Sequence, residues 1–385
     1  MNMPITISCQ FDSGAIVVVR ADDPADIELQ VRADNAAEFA QWFHFRLQGA
    51  VGVPVTLRFT NAGACAYPKG WDGYQALASY DRQHWLRVPT TFDGQVMTVQ
   101  FTPDTNSVYL AYFEPYSWER HLDLIGSAAA SEHVTLERLG ATLEGRDIDV
   151  LRVTDAASAI PEADKRQVWL IARQHPGETM AEWFVEGLLE RLLDASDPVA
   201  RVLLSRCVFH VVPNMNPDGS VHGNLRTNSV GANLNREWLE PTMARSPEVL
   251  LVRENMRRTG VDLFLDVHGD EGLPYNFVAG AEGIRDFTPR LLQLQDAFKS
   301  AWIAGSPDFQ DRVNYGPSRA TQANPTVATN WVAQAFGCLA FTIEMPFKDN
   351  ADLPDPSTGW SSERSRNFGA GVLQPVLAVL GQLRG

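Results

Sequence analysis

Four short apolar runs punctuate the later two-thirds of the chain: Val168–Ala172, Val208–Val212, Val261–Val267 and Leu339–Ile343. Runs of this kind, without a polar residue at every second position, read as strands buried on both faces. Between them lie helical patterns, notably Met180–Leu193 and Pro247–Arg258. Strands alternating with helices predict an α/β domain whose mixed, mostly parallel sheet is flanked by helices.

The first 125 or so residues have a different texture. Short segments such as Ala15–Arg20, Val55–Phe59, Val96–Phe101 and Ser107–Phe113 alternate with turn residues at Asp12-Ser13-Gly14, Asn61-Ala62-Gly63 and Asp93-Gly94. That pattern predicts a small antiparallel β-sandwich. At 385 residues the chain exceeds one ordinary compact core. We therefore expect two domains, a β-sandwich over 1–122 and an α/β domain over 123–385. The aromatics Trp42, Phe43, Phe45, Tyr67, Trp71, Tyr74 and Trp85 are expected to pack the sandwich and its interface, with a ligand-binding face as the alternative.

Charge and hydropathy narrow the function classes. A net charge of −15, from 47 acidic and 32 basic residues, argues against a nucleic-acid surface, which needs clustered cations. No apolar run approaches the roughly 20 residues of a membrane span. Met1–Cys9 lacks a basic stretch followed by an apolar one, so a cytoplasmic location is expected. Cys9, Cys65, Cys207 and Cys338 form no CxxC pair and are expected to be reduced thiols. Nothing in the pattern sets the oligomeric state.

In open α/β sheets, ligands bind beyond the carboxyl ends of the strands. Val168–Ala172 leads into Arg173-Gln174-His175-Pro176-Gly177-Glu178, and Val261–Val267 into His268-Gly269-Asp270-Glu271. Leu339–Ile343 ends at Glu344, and Val208–Val212 at Pro213-Asn214-Met215-Asn216-Pro217-Asp218-Gly219. Two histidines and one glutamate are the donor set of a catalytic zinc site that keeps a coordination position open. His175 and Glu178, three apart in a tight loop, can bind one ion together, and His268 closes the site from another strand. Glu344 is then free to act as a general base.

In this order, the motifs resemble those of the metallocarboxypeptidases related to carboxypeptidase A, and specifically the cytosolic carboxypeptidase subfamily. The resemblance runs from about 120 to 370 and includes Asn214–Gly219, His222-Gly223-Asn224-Leu225-Arg226, Gly231–Trp238 and Thr342-Ile343-Glu344. It implies a carboxypeptidase-like catalytic domain behind a small sandwich, and one Zn2+ per chain on His175, Glu178 and His268. It further implies Glu344 as general acid/base and Arg226 as the arginine that polarises the scissile carbonyl. Asn235 and Arg236 fall where the family holds the substrate's terminal carboxylate. Asn233 stands where relatives carry an aspartate that orients a zinc-binding histidine. Tyr315 is the candidate for the tyrosine that covers bound substrate.

The implied substrate is the C-terminal tail of a peptide or protein. Arg319, in Tyr315–Ala320, would suit a C-terminal glutamate or aspartate, or else pair with Asp308 or Asp311. Two rivals stand beside this reading. One is an N-acyl amino acid hydrolase of the aspartoacylase and succinylglutamate desuccinylase type, which uses a similar donor set. The other is a non-catalytic ligand-binding protein with a structural metal.

Overall fold

The computed structural model describes residues 4–316 and 323–384. Its first ten strands form two five-stranded sheets. One sheet orders β1 (Thr6–Ser8), β4 (His44–Gln48), β10 (Ser107–Ala111), β6 (Leu77–Ser79) and β7 (Leu86–Arg87), with every neighbour antiparallel. The other orders β2 (Val17–Arg20), β3 (Ile27–Gln30), β5 (Val55–Phe59), β9 (Met97–Phe101) and β8 (Thr90–Phe92). Here β3 and β5 run parallel, joined by the long excursion through β4.

Alternation along β5, where Val55, Leu57 and Phe59 are buried and Thr56 and Arg58 are not fully so, points one face into the core. Phe43, Phe45, Phe59, Trp71, Tyr74 and Tyr112 pack there, with Phe43 and Phe59 ring centres 4.9 Å apart. The buried polar ends of these aromatics find backbone partners: Trp71 Nε1 donates to Ala62 O at 3.0 Å and Tyr74 OH to Tyr112 O at 2.8 Å.

The rest of the chain builds a seven-stranded sheet, ordered β11 (Val134–Ala141), β12 (Asp147–Val153), β14 (Cys207–Val212), β13 (Arg166–Ala172), β15 (Leu263–Asp270), β17 (Leu339–Pro346) and β16 (Phe277–Ala279). The four central strands β14, β13, β15 and β17 are parallel, and the outer strands run antiparallel to their neighbours. The helices are α1 (Trp118–Ala129), α2 (Met180–Leu192), α3 (Pro198–Arg206), α4 (Pro217–His222), α5 (Pro247–Thr259), α6 (Pro289–Gly305), α7 (Ala328–Phe336), α8 (Ser362–Gly371) and α9 (Leu373–Val379). Helix α1 crosses the expected border at 122 and packs on β11 and β12.

Helix α2 follows the His175–Glu178 loop and is buried on nearly every side, between the sheet and α8. Its apolar residues, Phe184 and Leu188 among them, therefore anchor that loop, and Phe184→Ala would cost about 3–5 kcal/mol. All four cysteines are unpaired. Among the described residues, no helix is long and apolar enough to cross a membrane.

Two strands run further than the apolar runs suggest. β15 and β17 stay paired with each other in register through Asp270 and Pro346. His268 and Glu344 thus lie within the strands rather than after them, directly opposite each other.

Candidate active site

The parallel strands β13, β15 and β17 deliver His175, His268 and Glu344 to one end of the sheet. His175 Nδ1 lies 2.7 Å from Glu178 Oε1, and His268 Nδ1 lies 2.7 Å from the other oxygen of the same carboxylate. The two Nδ1 atoms are 3.2 Å apart. One donor atom from each of the three buried residues lies within 4.8 Å of the others.

The outward nitrogens decide which tautomer faces inward. His268 Nε2 sits 2.9 Å from Asp266 Oδ2, and His175 Nε2 sits 3.1 Å from Asn233 Oδ1. Each acceptor can take the Nε2–H and leave Nδ1 toward Glu178, the arrangement a metal-binding imidazole needs. Against burial, Asp266 and Glu178 raise the His268 pKa well above its ordinary value, so that ring would lose its Nδ1 proton to bind a metal. Burial and nearby Arg226 lower the His175 pKa to about 4, which keeps the ring neutral. The donor set therefore fits a zinc ion.

Further hydrogen bonds fix this floor. Gln174 Nε2 donates to Asp266 at 2.8 Å, while its Oε1 accepts the Trp238 indole N–H at 2.8 Å. Arg173, buried and held at φ 57°, reaches Tyr116 O, Pro176 O and Glu182. Asn216 caps α4 and donates to Gln174 O at 3.0 Å. Gly219 follows in the same turn, where a Cβ would stand 2.4 Å from both Pro176 Cγ and Thr227 O. Only glycine lets the His175–Glu178 loop and the Arg226 segment approach so closely.

Above the floor is a cleft of about 670 Å3 whose lining includes Tyr67, Arg226, Asn235, Arg236, Tyr315 and Glu344. Glu344 is buried, with Oε1 accepting from Tyr315 OH at 2.9 Å. Burial raises its carboxyl well above the usual carboxylate range, helped by Glu178 and Asp270 and opposed by His268. Tyr315 OH also reaches Asp270 at 2.7 Å, and its ring meets Phe277 edge-on.

Arg226 and Arg236 have no carboxylate within ion-pair distance among the described residues. Asn235 turns its Oδ1 inward to accept from Ala328 N at 2.9 Å, which starts α7. Arg319 lies outside the described residues.

The sequence reading missed contributions from both domains. Asp266 stands two residues before His268 on the same face of β15, so the Asp-x-His spacing carried that signal. Asp34, from the N-terminal domain, accepts from the backbone N–H groups of Leu225, Arg226 and Thr227 at 2.6, 3.0 and 2.9 Å, and from Thr227 Oγ1 at 2.8 Å. Tyr67, from the same domain, lines the cleft and lies under the Arg226 guanidinium at 5.6 Å. Of the aromatics singled out in that domain, most are core residues and Tyr67 alone lines this cleft.

A buried two-histidine, one-glutamate focus beside a spare carboxylate, at the carboxyl ends of parallel strands, defines a metallohydrolase. Residues 126–360 match the family model of zinc carboxypeptidases, and residues 7–113 that of the cytosolic carboxypeptidase N-terminal domain. The chain belongs to the zinc carboxypeptidase family and is a metallocarboxypeptidase, a peptidase hydrolase.

It is similar along its length to a metallo-carboxypeptidase from Burkholderia cenocepacia, at 52% identity and a TM-score of 0.94, covering 97% of this chain and 98% of that one. A metallo-carboxypeptidase from Pseudomonas aeruginosa, solved with (2-guanidinoethylmercapto)succinic acid, is 48% identical with a TM-score of 0.94, covering 98% and 100%. Mouse cytosolic carboxypeptidase 6 is 26% identical over 72% of this chain, which spans 55% of that relative's length.

Proposed function

We propose that the chain is a zinc-dependent carboxypeptidase that removes the last residue of a peptide or protein tail, with one zinc held by His175, Glu178 and His268. The observation that carries this reading is the pairing of that buried donor focus with two guanidinium groups that have no ion-pair partner among the described residues, and with the buried Glu344 carboxyl, in one cleft. When bound, the metal supplies Lewis acidity toward water and the scissile carbonyl.

The side chains divide the remaining work. Asn235 and Arg236 hold the terminal carboxylate of the substrate, and Arg226 meets the oxygen that gains charge as the carbonyl is attacked. Glu344 takes the proton from the attacking water and returns it to the leaving amine. Tyr315, hydrogen-bonded to Glu344, covers the bound residue.

A preference for C-terminal glutamate or aspartate fits the same cleft. Lys299, from α6, lines it together with Thr329, Asn330 and Thr342. Glu282 also lines this region, but Gln295 engages it. The Pseudomonas neighbour's ligand is a succinic acid derivative, which supports a cleft that accepts carboxylates.

The test is a peptide set differing only in the last residue, followed by mass spectrometry with and without a chelator. We expect loss of single C-terminal residues, fastest for glutamate and stopped by the chelator. Zinc-loaded protein that trims no peptide yet cleaves an N-acyl amino acid would replace this reading with the acyl-hydrolase one.

A further inference from the structure

Tyr67 reaches the cleft from the N-terminal domain, and the roles assigned above leave it unused. It lines the cleft together with Arg226, Arg236 and Glu271. Its side chain is half-buried, and its hydroxyl meets no hydrogen-bond partner among the described residues. The hydroxyl is also not one of their closed-off unpartnered atoms, so it remains accessible where the cleft opens.

The backbone beneath that hydroxyl is fixed from several sides. Gln41, fully buried, accepts the Tyr67 N–H at 3.2 Å and donates to the Tyr67 carbonyl at 3.1 Å. Gly70 N donates to the same carbonyl at 2.8 Å, closing the turn Pro68–Trp71. That turn packs directly on the other domain. A Cβ at Gly70 would stand 3.1 Å from Glu271 Cβ and 3.2 Å from Glu271 O. Glu271 comes straight after β15, the strand that carries His268. Tyr67 is therefore anchored against the segment that forms the floor.

Its nearest cationic neighbour identifies what the hydroxyl can serve. The Arg226 guanidinium carbon lies 5.6 Å from the Tyr67 ring centre and 5.8 Å from that of Phe39. Burial raises the Tyr67 phenol above its ordinary value, so the oxygen keeps its proton and acts as a donor. Among the charges that act on it, Arg226 comes first, ahead of Glu271, Glu178 and Arg236. The hydroxyl thus belongs to the Arg226 side of the cleft rather than to the Arg236 side. In the reaction described above, the substrate oxygen on that side is the one that gains charge. A fixed, protonated donor there stabilises the oxygen more as its charge grows.

We propose that Tyr67 is a further catalytic residue, whose hydroxyl donates to the scissile carbonyl oxygen alongside Arg226. The proposal rests on the peptidase reading and gives its oxyanion one protein donor from each domain. The proton stays on Tyr67 throughout.

Tyr67→Phe is the test, because it keeps the ring beside Arg226 and removes only the donor. With zinc-loaded full-length protein, we expect kcat on a short peptide to fall about 10- to 100-fold while KM changes little. A phosphinic peptide, whose tetrahedral oxyanion imitates the attacked carbonyl, should bind more weakly by a similar factor. The released amino acid offers only its terminal carboxylate and should bind as it does to wild type. Zinc content and melting temperature should also match. Wild-type protein that trims no peptide would count against the peptidase reading, and the same comparison would then be made on an N-acyl amino acid. A wild-type rate in Tyr67→Phe, a loss confined to KM, or unchanged phosphinate affinity would overturn the role of Tyr67.

Discussion

The floor and the far wall of the cleft are built on different principles. On the floor, His175, His268 and Glu344 are set by adjacent parallel strands, and His268 faces Glu344 in strand register. Their places follow from the sheet itself. On the wall, Arg226 sits in a segment without strand or helix, whose backbone N–H groups converge on one carboxylate, Asp34, from the other domain. Phe39 and Tyr67, also from that domain, lie beside its guanidinium. The difference teaches that the C-terminal domain carries the His175, Glu178 and His268 cluster, while the N-terminal domain shapes the segment of Arg226, the group we propose meets the substrate's carbonyl.

The largest expected effect tests the floor. Glu344→Gln should lower kcat/KM by about 10³- to 10⁴-fold while zinc content stays at one per chain. Near-normal turnover in that variant would remove Glu344 from proton transfer. The wall should respond more mildly. Asp34→Ala releases the Arg226 segment, and we expect a loss of about 10- to 100-fold in kcat/KM with bound zinc unchanged. Because the buried carboxylate supports four donors, a melting curve belongs beside the assay, and Asp34→Asn serves as the gentler variant. If Asp34→Ala matched wild type in rate, the wall would not depend on the second domain.

Asp266→Asn returns to the floor by another route. It keeps the side-chain shape but weakens the acceptor behind His268, so zinc affinity should fall about 10- to 100-fold. The same carboxamide already stands behind His175 as Asn233. Competition with a chromogenic chelator measures the change, and an unaltered affinity would mean that Asp266 does not tune the histidine.

The contrast between floor and wall also explains what could be read from the sequence. The apolar runs, the His-x-x-Glu spacing and the acidic residue after the last run are local patterns, so the central strands and the buried donor trio were legible. Asp266 was legible in principle but hidden inside an apolar strand. Asp34 and Tyr67 were not, because no local pattern ties Asp34 to Leu225, 191 residues away. Domain packing creates that relation. The strand ends of β15 and β17 were misjudged for a similar reason, since residues 268–270 and 344–346 extend the strands by pairing with each other across 76 residues of sequence.

The smallest expected effect lies behind the wall, at Glu248 in the first turn of α5. Burial pushes its carboxyl from the ordinary value of 4.5 up to about 8, with Asp218 and Glu237 adding to the shift. The folded state thus holds a proton that the unfolded state releases near pH 4.5. Between those values the native state binds more protons than the unfolded one, so stability falls as pH rises. The contribution is complete below about 4.5 and is lost as pH climbs toward 8. Glu248→Gln cannot titrate, so the urea midpoint of that variant should decline less than wild type between pH 5 and pH 8. Parallel profiles would show that Glu248 exchanges no proton on unfolding, and that this side of the fold carries its carboxylate charged.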